Sequence, residues 1–522
     1  MSGDSTRASK ARPSRRSVLK AGATGAAALL TPPFVFAAES PARQPNIVFV
    51  FADQLRTHEV GCYGNDRLHT PNIDALAREG ARFTNAISTY PLCSPFRAML
   101  LTGMQPMANG MVTNDHRLRA GVPSFAEACK SAGYHTAYIG KWHIDGHGRS
   151  AYIPPDRRLG FQKWMVLECT HDYFKSNYHE GDSPQMRTWE GYDAIAQTRA
   201  AQQYLRERAD QGPFALFVSW GPPHNPYVAP DAYMKRFQPK QMRLRENVAE
   251  HEISDAMLAN SRSPLPKQQE AQRRRIRQQI NDDNAIRRWY AGYYAATEAI
   301  DDCVGDLRRT LAELKMLDET VFVFTSDHGD MLGSHRFYEK TVPFEEAVSI
   351  PFVVRYPRKM PAGIVSDGLL GPIDMMPTVL SLAGIPCPKV DGMDLSHLAM
   401  GKPGPQRDAL LMMTMTCALN SWTSNGTDPW RAVLTKTHTY AKFADGRPWL
   451  LFDNAADPHQ VRNLVGRPET APLQRQLDSH LNELCKEAKD PVDVTTITQQ
   501  VLKENPGNAL IRGYLEAYSG RG

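Results

Sequence analysis

The chain has 522 residues, 42% of them hydrophobic and 22% charged, with a formal net charge of +5. Such a length exceeds one small domain and suits a large α/β body with an appendage. No uninterrupted apolar run is long enough to span a bilayer. The positive excess belongs to the first 37 residues, where Arg7, Lys10, Arg12, Arg15, Arg16 and Lys20 face Asp4 alone. The remainder is near neutral, so charge gives no argument for a nucleic-acid partner.

In chain order, SRRSVLK (14–20) precedes a weakly apolar stretch and a small-residue cut site after Ala37. The paired Arg15 and Arg16 resemble a bacterial twin-arginine signal, which predicts a periplasmic or otherwise exported protein and the twin-arginine translocase as a partner. With the signal removed, no stable membrane insertion is expected. NIVFVFAD (46–53) reads as a buried strand with Asp53 at its carboxyl end, and TPNIDALAREG (70–80) as a helix stopped by glycine. Further strand-like runs are HTAYIG (135–140), FALFVSW (214–220), TVFVFTSD (320–327) and IPFVVRYP (350–357), with helical patterns between them. The alternation predicts an α/β fold whose large, mostly parallel sheet is sandwiched by helices.

Residues 235–288 form a polar insertion; its RRRIRQQ run (273–279) looks like a nucleic-acid or polyanion contact, but such a run is more often a solvated helix face, and it is read so first. Between 285 and 315, Trp289, Tyr293, Ala296, Ile300, Val304, Leu307 and Leu311 fall at helical spacing on a core-facing stripe. Beyond about 386, LLMMTMT, RAVLTK, THTYAKF and PWLLFD read as four short strands, followed by a helix at 471–489. These predict a smaller antiparallel sheet with a packed helix. The organisation expected is a signal peptide (1–37), a catalytic body (40–400), a C-terminal α/β subdomain (401–490) and a tail (491–522). The eight cysteines are scattered, with neither a C-x-x-C pair nor zinc-ligand spacing.

Polar groups gather where the strands end. Asp53 and Gln54 close the first; Lys141, Trp142 and His143 follow another; His224 lies in PPHNP; Asp327 and His328 lie in SDHGD; and Lys340 sits in the loop beyond. In a parallel sheet these ends converge on one edge, where ligands bind. Trp142 reads as packing. Tyr227, Asp330 and His335 are open candidates for substrate contact, and Glu345 and Glu346 read as structural.

NIVFVFADQ, CSPFR, GYHTAYIGKWH, PPHNP, TSDHGD, EKTVPFEEA and GPIDMMPTVLSLAGI, with the late LFDNAADPHQVRNL, occur in an order that resembles a type I sulfatase of the alkaline-phosphatase-like superfamily. The likeness runs from about residue 44 to 489. It implies that Cys93, in the C-x-P-x-R run with Pro95 and Arg97, is oxidised to Cα-formylglycine by a formylglycine-generating enzyme before export. Phe96 stands where a small residue is common. The hydrated aldehyde would be the nucleophile on a sulfate ester. Asp53, Gln54, Asp327, His328 and the modified Cys93 would hold Ca²⁺, with Mg²⁺ second. Arg97 and Lys141 would steady charge on the transferring group. His224 and Lys340 would protonate the leaving alcohol, and His143 would take the proton whose loss releases sulfate. The substrate expected is a small-molecule or glycan sulfate ester, carbohydrate first. Two other readings stay open here: a phosphonate monoester or phosphodiester hydrolase of the same superfamily, and a non-catalytic binder of sulfated ligands if Cys93 stays a thiol.

Overall fold

A computed structural model of the chain describes residues 44–260, 267–415 and 428–504. The leader, the end of the LLMMTMT run and the last part of the tail lie outside the described residues. Ten strands form the central sheet: β1 (Asn46–Asp53), β2 (Ala81–Ala86), β3 (His135–Lys141), β4 (Lys163–Leu167), β5 (Asn177–Glu180), β6 (Met186–Thr188), β7 (Phe214–Pro223), β8 (Thr320–Ser326), β9 (Phe352–Arg355) and β10 (Ile364–Leu370). Their order is β10-β2-β9-β8-β1-β7-β3-β4-β5-β6. The middle of the sheet, β8-β1-β7-β3-β4, is parallel, and β9, β5 and β6 run antiparallel to their neighbours.

The continuous apolar run of β1 follows from burial on both faces. Ile47, Phe49 and Phe51 join one core while Val48, Val50 and Ala52 join the other. The long helix Asp283–Glu313 covers the second face. Tyr293, Ala296, Ile300, Val304, Leu307 and Leu311 on its predicted stripe are fully buried, and Trp289 packs at the margin. No helix among the described residues is long and apolar enough to cross a membrane.

The second sheet is antiparallel: β11 (Ala409–Thr414), β12 (Trp430–Thr435), β13 (His438–Phe443) and β14 (Pro448–Asp453), in that order. The helix Ala471–Glu487 packs on it. The segment read as tail opens on a further helix, Val494–Glu504, which buries Val494, Ile497 and Val501. The two sheets share a core in which Ile87, Phe344, Val348 and Leu369 meet Leu410, Trp430 and Phe452. The seven cysteines within the described residues are free thiols.

Candidate active site

Adjacent strands β1 and β8 pair Ala52 with Ser326, so the next residues, Asp53 and Asp327, emerge side by side at the carboxyl edge of the sheet. Lys141 ends β3, and His224 follows β7. Cys93 opens a helix, Cys93–Thr102, whose ten residues are all buried. Cys93 and Arg97 are four residues apart, one turn, and therefore share a face. Pro95 lies in the first turn, where a missing N–H costs nothing. The spacing of the C-x-P-x-R run thus brings a sulfur and a guanidinium to the same two carboxylates.

Arg97 Nη2 donates to Asp53 Oδ2 at 3.1 Å and to Asp327 Oδ2 at 3.0 Å. Its Nη1 donates to Ser219 Oγ at 2.6 Å and to the Lys141 carbonyl at 2.9 Å, and the guanidinium lies over the Phe51 ring. Lys141 Nζ reaches Asp53 Oδ2 at 2.5 Å. Burial and the Cys93 sulfur oppose ionisation of Asp53, but Lys141, His224 and Arg97 outweigh them and hold its carboxyl well below the usual range. Burial and the charge on Asp53 push Asp327 the other way.

Cys93 Sγ lies 3.2 Å from His328 Nε2 and 3.8 Å from Asp53 Oδ1. His328 Nδ1 donates to the Gly329 carbonyl at 3.0 Å, which leaves the Nε2 lone pair facing the sulfur and the carboxylates. Ligand atoms of Asp53, Cys93, Asp327 and His328 all lie within 4.8 Å of one another, and all four residues are buried. Two carboxylates, one imidazole nitrogen and a position that oxidation would turn into oxygen suit a hard divalent cation. Gln54 adjoins this group with φ 69°. Its backbone N–H donates to Asp327 Oδ1 at 2.9 Å, its side-chain amide donates to Asp330, and its Oε1 accepts from Lys340.

Above this floor opens a cavity of about 540 Å³ lined by Cys93, His143, His224 and Lys340 among others. Arg97, Lys141, Asp53, Asp327 and His328 lie beneath it rather than in its wall. His224 Nδ1 donates to the Asn225 carbonyl at 2.7 Å, so Nε2 accepts from Lys340 Nζ at 2.8 Å. Burial and then the Lys340 charge push the His224 imidazole well below its ordinary range. His171 stacks on His224, with ring centroids 4.3 Å apart. His143 Nε2 lies 3.2 Å from Asp115 Oδ1, and Arg149 grips the same carboxylate through two N–H donors at 2.9 and 3.1 Å.

Lys340 is carried on a segment with an unusual density of left-handed backbone: Leu332, His335, Arg336, Glu339 and Thr341 all have positive φ. The surroundings hold that shape. Trp430 Nε1, on β12, donates to the Thr341 carbonyl at 2.9 Å, and Met331 N donates to the Glu339 carbonyl at 2.5 Å.

The other sequence candidates are placed as follows. Trp142 is buried edge-on against Tyr138 and Trp164. Tyr227 donates to Asp330 at 2.7 Å, and neither lines the cavity. His335 is buried against the His459 carbonyl, and Glu346 pairs with Arg245 and Asn247. The RRRIRQQ run divides: Arg274 and Arg277 are exposed, but Arg275, Ile276 and Gln279 line the cavity. Asp115, Arg149 and His171 carry no motif signal and enter the site only through the fold.

The fold and the buried Asp/Cys/Asp/His group define a hydrolase of the alkaline-phosphatase-like superfamily. The chain belongs to the sulfatase family, whose model matches residues 45–385, and it is a sulfuric ester hydrolase. A second model, the C-terminal region of N-sulphoglucosamine sulphohydrolase, matches residues 333–487. An ulvan-active sulfatase of Formosa agariphila is 38% identical over 453 residues, spanning 86% of this chain and 82% of that protein. A protein solved in complex with its substrate D-glucosamine-2-N,6-O-disulfate superposes with a TM-score of 0.74 at 25% identity, over 86% of this chain and 99% of that one. The phosphonate monoester hydrolase of Agrobacterium radiobacter has the same fold: TM-score 0.69, 23% identity, 85% of this chain and 96% of that one.

Proposed function

We propose that this sulfatase is exported and cleaves sulfate esters of carbohydrates, with Cys93 as the precursor of Cα-formylglycine. The observation that carries the reading is the position of Cys93, between the cation-suited group below and His143, His224 and Lys340 in the cavity wall. The leader supports export, and the names of the relatives support a sugar substrate. The wall agrees, since Asn114, Asn225 and Gln279 offer hydrogen bonds while Ile276 and Tyr338 are its principal apolar members.

Once formed, the aldehyde hydrate supplies the nucleophilic hydroxyl, and the cation, Ca²⁺ before Mg²⁺, supplies Lewis-acid stabilisation of charge. The residues do the rest. Asp53, Asp327 and His328 Nε2 offer the ligand atoms, and Gln54 Oε1 joins them if Lys340 releases it. Arg97 aligns both carboxylates, and with Lys141 it keeps Asp53 ionised. The Lys340–His224 pair delivers a proton to the departing ester oxygen. His143, also in the cavity wall, accepts a proton, with its ring fixed by Asp115.

The test is the mass of the tryptic peptide FTNAISTYPLCSPFR (83–97) together with sulfate release from a panel of sulfated sugars. A peptide at the aldehyde mass with sulfate release is expected. A peptide wholly at the cysteine mass in active protein, or phenyl phosphonate esters cleaved more efficiently than every sulfate ester, would overturn the reading.

A further inference from the structure

The cavity wall holds positive charge for which the chemistry of one sulfate ester has no use. The insertion helix Lys267–Ile280 packs on the helix Asp283–Glu313 and buries Ile276 and Ile280, four residues apart. Arg275 and Gln279 are also four apart, on the neighbouring row, and both line the cavity. The end of this helix is secured from the Lys340 segment: Arg336 Nη1 donates to the Ile280 carbonyl at 2.9 Å and pairs with Asp283 at 3.0 Å. The buried row and this anchor set which row faces the site.

Arg275 is exposed and makes no ion pair among the described residues. Arg149 is committed to Asp115, yet 34% of its side chain remains open. Lys141 is committed to Asp53 beneath the cavity, Lys340 already serves the scissile group, and the wall carboxylate, Glu339, is 3.8 Å from Lys340. A cavity of about 540 Å³ falls within the range of sites that enclose a drug-sized ligand, roughly 300–1,000 Å³, so it has room for more than the sulfate. A guanidinium there is placed to bind a second oxyanion.

We propose that Arg275, with Gln279 beside it, is a specificity-determining residue that reads a second acidic group, a carboxylate or a further sulfate, on the sugar bearing the scissile ester or on its neighbour. The inference rests on the reading of the substrate as a sulfated carbohydrate and narrows it to polyanionic glycans.

The test compares native protein with Arg275→Ala and Arg275→Gln on four probes. These are 4-nitrophenyl sulfate, a disaccharide of a uronic acid and a 6-sulfated N-acetylhexosamine, its carboxyl-reduced twin, and that twin bearing a second sulfate. Native protein should favour an acidic disaccharide over the reduced twin by about tenfold in kcat/KM, through KM, as one charge-assisted contact allows. Both variants should erase the preference and leave 4-nitrophenyl sulfate within about twofold. The carboxylated and disulfated probes identify which oxyanion is read. A parallel calorimetric titration on Cys93→Ser, with and without Arg275→Ala, measures the same preference as affinity without turnover. If native protein releases sulfate from no probe, the functional reading fails while the titration still decides the role of Arg275. No preference for either acidic probe in both arms, or a preference that survives Arg275→Ala, overturns the inference.

Discussion

Beneath the cavity, Arg97 donates to two carboxylates, a serine hydroxyl and a carbonyl, with none of its surface exposed; in the wall, Arg275 stands in water on an inserted helix. The first guanidinium is desolvated and bridges both carboxylates, so the positions of Asp53 and Asp327 depend on it. The second makes no ion pair among the described residues. The floor therefore sets what chemistry can occur, and the wall sets which molecule is admitted. Stability should be concentrated in the floor and selectivity in the wall.

The strongest way to break this comparison is to remove each arginine. Arg97→Ala leaves two buried carboxylates without their shared donor; a loss of about 3–5 kcal/mol in unfolding free energy and of all measurable turnover is expected. Arg275→Ala should stay within about 0.5 kcal/mol of native protein. Chemical denaturation of both variants checks this, and equal losses would erase the distinction. Chelation comes next: EDTA should abolish sulfate release and lower the thermal midpoint, with Ca²⁺ restoring both more fully than Mg²⁺. Unchanged activity after exhaustive chelation would count against a cation at Asp53 and Asp327.

His224→Ala should cost about 10²- to 10⁴-fold in kcat/KM on a sugar sulfate, whose alcohol needs a proton to leave, and far less on 4-nitrophenyl sulfate, whose phenolate does not. Equal losses on both would remove His224 from proton delivery. Trp430→Phe removes a donor to the buried Thr341 carbonyl; about 1–3 kcal/mol of stability should be lost, with a lower kcat as Lys340 loosens. An unchanged midpoint would mean that this segment holds itself.

The smallest effect concerns pH. Glu168 accepts from the Asp145 and Gly146 N–H groups behind His143, and burial pushes its carboxyl up to about 7, although His143 and both donors oppose the shift. The native state thus keeps a proton that the unfolded chain, titrating near about 4.3, has lost. The contribution of Glu168 to stability should therefore fall as pH rises from about 4.3 to 7 and level off above. Glu168→Gln should flatten that part of a melting curve series, and an unaltered slope would assign it elsewhere.

The floor was legible because its signals are local. β1 is an apolar run ending in Asp53, β8 is one followed at once by Asp327, and C-x-P-x-R needs only one helical turn to align Cys93 with Arg97. β2 was hidden because Arg82, Thr84 and Asn85 interrupt its apolar residues, and the short β5 and β6 are largely polar. The antiparallel direction of β9 depends on its pairing with β2 and β8, which its own residues do not encode. Asp115 and Arg149 could not be found from local pattern, since both reach His143 only after the chain has folded. By local pattern the RRRIRQQ run reads as one exposed face; helical geometry divides it, turning Ile276 inward and Arg275 toward the cavity.

The burial of the entire Cys93–Thr102 helix also has a consequence in time. All ten residues are covered, and Cys93 itself keeps only 2% of its surface. An enzyme that must grasp Cys93 together with Pro95 and Arg97 has no purchase on the folded chain. If Cys93 is the precursor proposed above, its maturation belongs to biosynthesis, before the sheet closes, and molecules that fold ahead of it would carry their thiol for the rest of their working lives.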